Sequence, residues 1–262
     1  MLEHSKQRRL ILRVEEASLN AWPALHQQLY DGWLLRFSRG FTKRANSITP
    51  LYQPHQEPAD ELSLAAKIRY CENLYAQVDQ PTVFRLTSLP GQRPLDQALI
   101  ERGYEHTGLS QVLLMNLELL QPEAPAAPGR SAMLPSLEQW LAEYCALTAL
   151  PAPAKSLHQA ILKGIHGQLA LAVRNSPARD CVSCGLGVLE AELVGLFDVF
   201  SAEQARRQGQ GQRLVWDLLR WGQLAGARFA YLQVAADNLA ALRLYERLGF
   251  EELYRYWYRV SQ

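Results

Sequence analysis

Two groups of residues in the second half of the chain have the types and spacing for chemistry. The first is Arg206-Arg207-Gln208-Gly209-Gln210-Gly211-Gln212. It follows an apolar run, Leu193 to Val199, short enough for one buried strand. After it, Leu214, Val215, Leu218, Leu219, Gly222 and Ala225 share one helical face, so a helix is predicted from near Gly211. Two glycines one residue apart let the backbone approach a ligand closely and adopt positive φ. The unpaired N–H groups at a helix start point into the preceding loop, where the dipole adds about half a positive charge. Arg206 and Arg207 add full charges. This is a cradle for an anion, and a diphosphate is its natural occupant. The second group lies downstream, where a β-like run from Ala230 to Ala235 precedes Asn238-Leu239-Ala240-Ala241-Leu242-Arg243-Leu244-Tyr245-Glu246-Arg247-Leu248-Gly249-Phe250. That segment reads as a helix capped by Gly249, with aromatic strand sequence to Val260.

Taken together, R-x-x-G-x-G and N-x-x-A-x-x-L-Y-x-x-x-G-F resemble the acetyl-CoA signature of the GCN5-related N-acetyltransferase (GNAT) superfamily. The matching positions are Arg206, Gly209 and Gly211, then Asn238, Ala241, Leu244, Tyr245, Gly249 and Phe250. Glu203 departs from the pattern, since the family often has proline there; the loop amides and glycines remain. The resemblance covers the last half of the chain and is specific as a pair of motifs. It implies a mixed-sheet α/β fold, acetyl-CoA as cofactor, and acetyl transfer by direct attack of a primary amine on a small molecule, peptide or protein.

The resemblance also implies roles. The backbone N–H near Val199 would polarise the acetyl carbonyl, and Ser201 would pair with the pantetheine arm. The backbone amides from Arg207 to Gln212 would hold the diphosphate. Asn238 would bind the arm of the cofactor, or cap its own helix, or both. Tyr245 would protonate the departing sulfur, because a phenol keeps its proton at neutral pH; the competing reading is a core aromatic. The residues themselves offer Asp198, Glu192 and Glu190 as carboxylates on or beside the central strand. Asp198 is the candidate general base, with structural burial of the acid and deprotonation by water as open alternatives. A second functional class, a non-catalytic CoA-binding sensor or scaffold, would need the cradle but not Tyr245.

The elements that position these residues read as follows. In the first half, Glu15 to Tyr30 carries helical spacing through Leu19, Trp22, Leu25, His26 and Leu29. Gly32 to Phe37 and Arg44 to Thr49 read as strands around a Gly40 turn. A helix is predicted from Pro58 through Leu64, Ile68, Cys71 and Tyr75, a strand over Thr82 to Thr87, a helix over Leu95 to Arg102 ending at Gly103, and a strand over Ser110 to Leu119. This order repeats that of the second half without its cofactor machinery. The early loop, Gln53 to Pro58, has no glycine, and Leu99 takes the place of Tyr245. The expectation is therefore a tandem: a degenerate GNAT-like lobe over 1–120, a Pro/Ala linker over 121–130, and an intact acetyl-CoA-binding domain over 131–262. In the later half, helices carrying Leu137, Trp140, Leu141 and Tyr144 and then Lys155 to Ile165 precede strands at Gln168 to Arg174 and Asp180 to Leu189. Lys43, Arg44 and Asn46 are the early polar residues expected to reach toward an acceptor or to form an exposed turn.

Composition narrows the function classes. A net charge of +1, with charged residues at 20%, argues against a nucleic-acid binder relying on bulk electrostatics. No apolar run approaches the ~20 residues of a membrane span, and a cytoplasmic protein without membrane or nucleic-acid partners is expected. Cys181-Val182-Ser183-Cys184 has metal-like spacing but no second pair, so no metal is expected and the thiols read as small buried groups.

Overall fold

The computed structural model describes residues 2–52, 63–178 and 180–262. The chain forms two compact units, Met1–Ala21 with Gln111–Leu253, and Trp22–Ser110 with Tyr254–Gln262. This division differs from the boundary expected at 121–130. It runs instead through two strands, β5 (Glu105–Asn116) and β11 (Glu251–Val260), each of which gives one part to each unit.

The first unit begins with helix α1 (Leu2–Asn20), which packs on the strand Leu193–Ser201 through a buried face that includes Val14 and Ala17. The helix expected over Glu15 to Tyr30 is corrected here. Pro23 has no N–H and a fixed φ, so the helix closes at Asn20. His26–Tyr30 is instead a strand, and Leu29, placed on an apolar face by helical spacing, is exposed.

The later strands are β6 (Arg130–Met133), β7 (Gln168–Asn175), β8 (Cys181–Glu190), β9 (Leu193–Ser201) and β10 (Phe229–Ala235). Their order is β11-β5-β10-β9-β8-β7-β6. β6 to β9 are antiparallel neighbours, whereas β9 and β10 run parallel. One face carries helix α6 (Gln210–Leu224), which packs on β7, β8 and β9. Leu214, Val215, Leu218 and Leu219 are fully buried there, each worth about 1.5–3 kcal/mol of burial. Gly222 is buried as expected, but Ala225 forms the exposed C-cap. Gly222 lets the helix approach β9, because a Cβ there would lie 2.7 Å from Val194 Cγ1. Helix α4 (Leu137–Thr148) also packs on β7, β8 and β9, and α5 (Ala152–Lys163) packs on α4. Trp140 anchors α4, donating its Nε1–H toward the carbonyls of Ala172 and Gly185 at 3.2 and 3.1 Å.

The Pro/Ala segment is irregular, as its composition predicts, and it is tied down. The Pro128 carbonyl accepts from Arg174 Nη2 at 2.8 Å and from Gln210 Nε2 at 2.9 Å. Trp216 donates to the Gln121 carbonyl at 3.0 Å.

In the second unit the order is β1 (His26–Tyr30), β2 (Trp33–Phe37), β3 (Ile48–Pro50), β4 (Val83–Thr87), β11 and β5. Asp31 and Gly32, at φ 44° and 79°, make the two-residue hairpin turn between β1 and β2. Helix α2 (Leu64–Ala76) starts at Ser63, whose hydroxyl accepts from Ala66 N–H; the expected start at Pro58, like the loop Gln53 to Pro58, lies outside the described residues. Helix α3 (Arg93–Glu101) ends before Gly103, as expected. Ile68, Cys71, Tyr75, Phe84, Leu86 and Leu99 form this unit's core, so Leu99 is a packing residue. Asn46 is structural: its Oδ1 accepts from Ser38 and Gly40 N–H, and its amide donates to the Thr42 carbonyl. Arg44 lies over the Trp22 ring and Lys43 over the Tyr258 ring.

Candidate active site

The site grows from the place where β9 leaves β10. Their parallel register runs only from Leu193 opposite Phe229 to Leu196 opposite Leu232. β9 continues to Ser201 and β10 to Ala235 beyond the last of these pairs, so the two strands part there. On its other side β9 stays paired with β8, but with a bulge: Leu186 faces Phe197, and the next pair is Cys184 with Phe200. Asp198 sits in the bulge at φ 50°, a conformation that Asp tolerates better than most residues.

The bulge separates the side chains of Asp198 and Val199. Val199 joins the core on the α6 side, where its Cγ2 would be 3.4 Å from a Cβ on Gly185. Asp198 meets His158 of α5, with Oδ2 2.8 Å from Nε2. The imidazole is buried and set edge-on to Tyr144 of α4, with ring centroids 5.0 Å apart. His158 was not singled out by sequence reasoning. Forty positions separate it from Asp198, and no local pattern announces a contact that depends on the bulge and on the docking of α5.

At its far end β9 meets the glycine loop. Ser201 Oγ lies 2.8 Å from Ser183 Oγ on β8. The chain then makes a single turn, Glu203–Ala205, and passes the exposed Arg206, Arg207 and Gln208 into Gly209. Gly209 is the N-cap of α6 at φ 77°, and Arg207 is also left-handed at φ 60°. A Cβ on Gly209 would sit 2.9 Å from the Ala126 carbonyl oxygen, so only glycine fits without displacing the linker. Gln210 turns its side chain inward, where Oε1 accepts from Arg174 Nε at 2.7 Å. Arg174 is buried and also donates to Ser131 Oγ at 2.6 Å, so the first residue of the helix is held from behind. Gly211 and Gln212 are half-buried in the first turn.

The third element is α7 (Leu239–Leu248). Asn238 caps it, its Oδ1 accepting from Ala241 N–H at 3.2 Å, and Gly249 closes it at φ 94°. A Cβ on Gly211 would lie 3.3 Å from both Leu244 Cδ1 and Ser201 Oγ, so the end of β9, the start of α6 and the middle of α7 converge. Tyr245 follows Leu244, buried edge-on against Phe250 with ring centroids 5.7 Å apart. Burial pushes its phenol up to about 12, which keeps the proton on oxygen across the neutral range.

The thiols are free. Cys184 is buried and Cys181 half-buried, and burial raises both above the usual thiol range, Cys181 to about 11. Among the described residues no group of three or more His, Cys, Asp or Glu is arranged to hold a metal ion. Nor is any described helix long and apolar enough to cross a membrane.

The mixed sheet with its helices matches the fold of the GNAT acetyltransferases. The chain belongs to this superfamily and, within it, to the family described as "Probable histone acetyltransferase Rv0428c C-terminal", whose model matches residues 10–259. It is an acetyl-CoA-dependent N-acetyltransferase. A curated relative, the uncharacterized N-acetyltransferase YobR of Bacillus subtilis, is 24% identical over 257 residues, covering 96% of this chain and 99% of that protein. Among solved structures, a GCN5-related N-acetyltransferase from Kribbella flavida has a TM-score of 0.70 at 18% identity, with 95% of each chain covered. A tandem GNAT protein from the clavulanic acid biosynthesis pathway has a TM-score of 0.63 at 13% identity, covering 82% of this chain and 74% of that one.

Proposed function

We propose that this chain acetylates a primary amine of a small molecule, peptide or protein by direct attack, with Tyr245 as the general acid. The observation that carries the reading is the convergence of Ser201, Gly211 and Leu244 beside the opening between β9 and β10. It brings the parting end of a strand, a helix N-terminus and the helix that carries the buried Tyr245 together.

The residues fit acetyl-CoA. Gly209 and Gly211 put no side chain over their own amides, the stretch from Arg207 to Gln212 leads into the start of α6, and that helix N-terminus favours a diphosphate. Exposed Arg206 and Arg207 add charge, with Gln208 between them and the cap. When bound, acetyl-CoA supplies the acetyl group as an activated thioester. Ser201 and Asn238 would then hold the pantetheine arm, and the Val199 N–H would polarise the acetyl carbonyl. Asp198 is the carboxylate placed to take a proton from the incoming amine, and Tyr245 gives one to the departing sulfur. The unit of Trp22–Ser110 with Tyr254–Gln262, which has Leu99 in its core, has no part in the chemistry in this reading.

Amine-dependent thiol release from acetyl-CoA tests this reading directly. Release that rises with a primary amine from a mixed panel supports the enzyme. Tight CoA binding with no release for any amine supports the sensor or scaffold instead.

A further inference from the structure

We propose that His158 is a positioning residue for acetyl transfer: its Nε2–H holds the Asp198 carboxylate in the orientation that accepts the acceptor's proton. The inference rests on the acetyltransferase reading above and adds a residue that the signature does not contain.

The geometry supplies three observations. His158 Nε2 and Asp198 Oδ2 are 2.8 Å apart, the distance of a charge-assisted hydrogen bond. An ionised carboxylate only accepts, so this contact requires the proton on Nε2. The exposure is also unequal: the His158 side chain is 1% exposed and that of Asp198 is 13%. His158 therefore stands behind the carboxylate, and Asp198 is the member that can meet an acceptor. Finally, Asp198 occupies a left-handed position in a bulge, a strained backbone that persists because its surroundings hold it, and its side chain has a partner from another element. Helix α5 supplies that partner, with His158 and Tyr144 of α4 in a T-shaped ring contact.

The proton step balances simply. One N–H bond of the acceptor's ammonium breaks, its electron pair stays on nitrogen as the nucleophile, and an O–H bond forms on Oδ1 of Asp198. The proton then passes to water. Oδ2 remains bonded to His158 throughout, so the carboxylate does not rotate away.

The test uses the full chain and the amine giving the fastest thiol release. His158→Ala should lower turnover about 10- to 100-fold, the effect of losing one hydrogen bond to a charged group, with CoA affinity by calorimetry unchanged. His158→Gln, which keeps an N–H near the Nε2 position, should restore most of the rate. In an Asp198→Asn background, adding His158→Ala should cost nothing more, because His158 acts through the carboxylate. Wild-type turnover in His158→Ala overturns the proposal, as does a His158→Gln variant no better than Ala or a full additional loss in the double variant. If His158→Ala fails to fold, His158→Gln is compared with wild type: most of the rate retained supports the proposal, and a folded His158→Gln variant as slow as Asp198→Asn overturns it. A wild-type chain inactive with every amine removes the underlying reading as well, whereas an active wild type with indifferent His158 variants removes this proposal alone.

Discussion

Gly209 at the N-cap of α6 and the carbonyl of Ala126 are neighbours with no room between them for a Cβ, which would sit 2.9 Å from the oxygen. The glycine serves two constraints at once, a left-handed φ of 77° and contact with the Pro/Ala segment. Gly209→Ala should therefore cost more than about 1 kcal/mol of stability, beyond the usual effect of a residue that fits its backbone. Urea unfolding measures that cost, and calorimetry should show weaker CoA binding. Wild-type behaviour in both would mean the loop tolerates a side chain and is not a fitted cradle.

Gly211 gives a sharper probe of the cofactor. A Cβ there would meet Leu244 Cδ1 and Ser201 Oγ at 3.3 Å, and both can yield by a few tenths of an ångström. Gly211→Glu brings a negative charge to the helix N-terminus, where repulsion of a diphosphate is strongest. CoA affinity should fall at least tenfold, from a charge effect of about 1.4 kcal/mol or more. Unchanged affinity would contradict the diphosphate assignment.

The buried phenols and thiols make alkaline pH the weak side of this fold. Burial lifts Tyr245 to about 12, Cys71 to about 12 and Cys181 to about 11, and it raises Tyr75, Tyr104, Tyr258 and Cys184 as well. Each folded value lies above its unfolded one, so the stability these groups contribute is complete below the ordinary thiol value of 9.0. It is lost as pH climbs through the folded values, at up to about 1.4 kcal/mol per pH unit for each group. Urea midpoints under reducing conditions should be level from pH 7 to 8.5 and fall steeply by pH 10.5. A flat midpoint across that range would show that these groups ionise in the folded chain.

The elements around the glycine loop and the last helix were legible in the sequence because their signals are local. Gly209 and Gly249 occupy left-handed caps, Asn238 is an N-cap, and the periodicity of Leu214 to Leu219 marks a single buried face. The N-terminal region misled because Leu19, Trp22, Leu25 and Leu29 happen to fall at helical spacing. Pro23 and the Asp31-Gly32 turn pair were the local signals that should have outweighed it. The His158–Asp198 contact lay beyond reach for a different reason. It depends on a one-residue bulge and on helix docking, and both are tertiary events.

The proton donor is tested most directly by Tyr245→Phe, compared with wild type in amine-dependent thiol release and in CoA binding. The ring and its packing on Phe250 are kept, while the phenolic proton is lost. With an acceptor for which chemistry limits the rate, turnover should fall by roughly 10²–10⁴-fold at unchanged CoA affinity. Near-wild-type turnover in that variant would return Tyr245 to the core and contradict the assignment of the general acid.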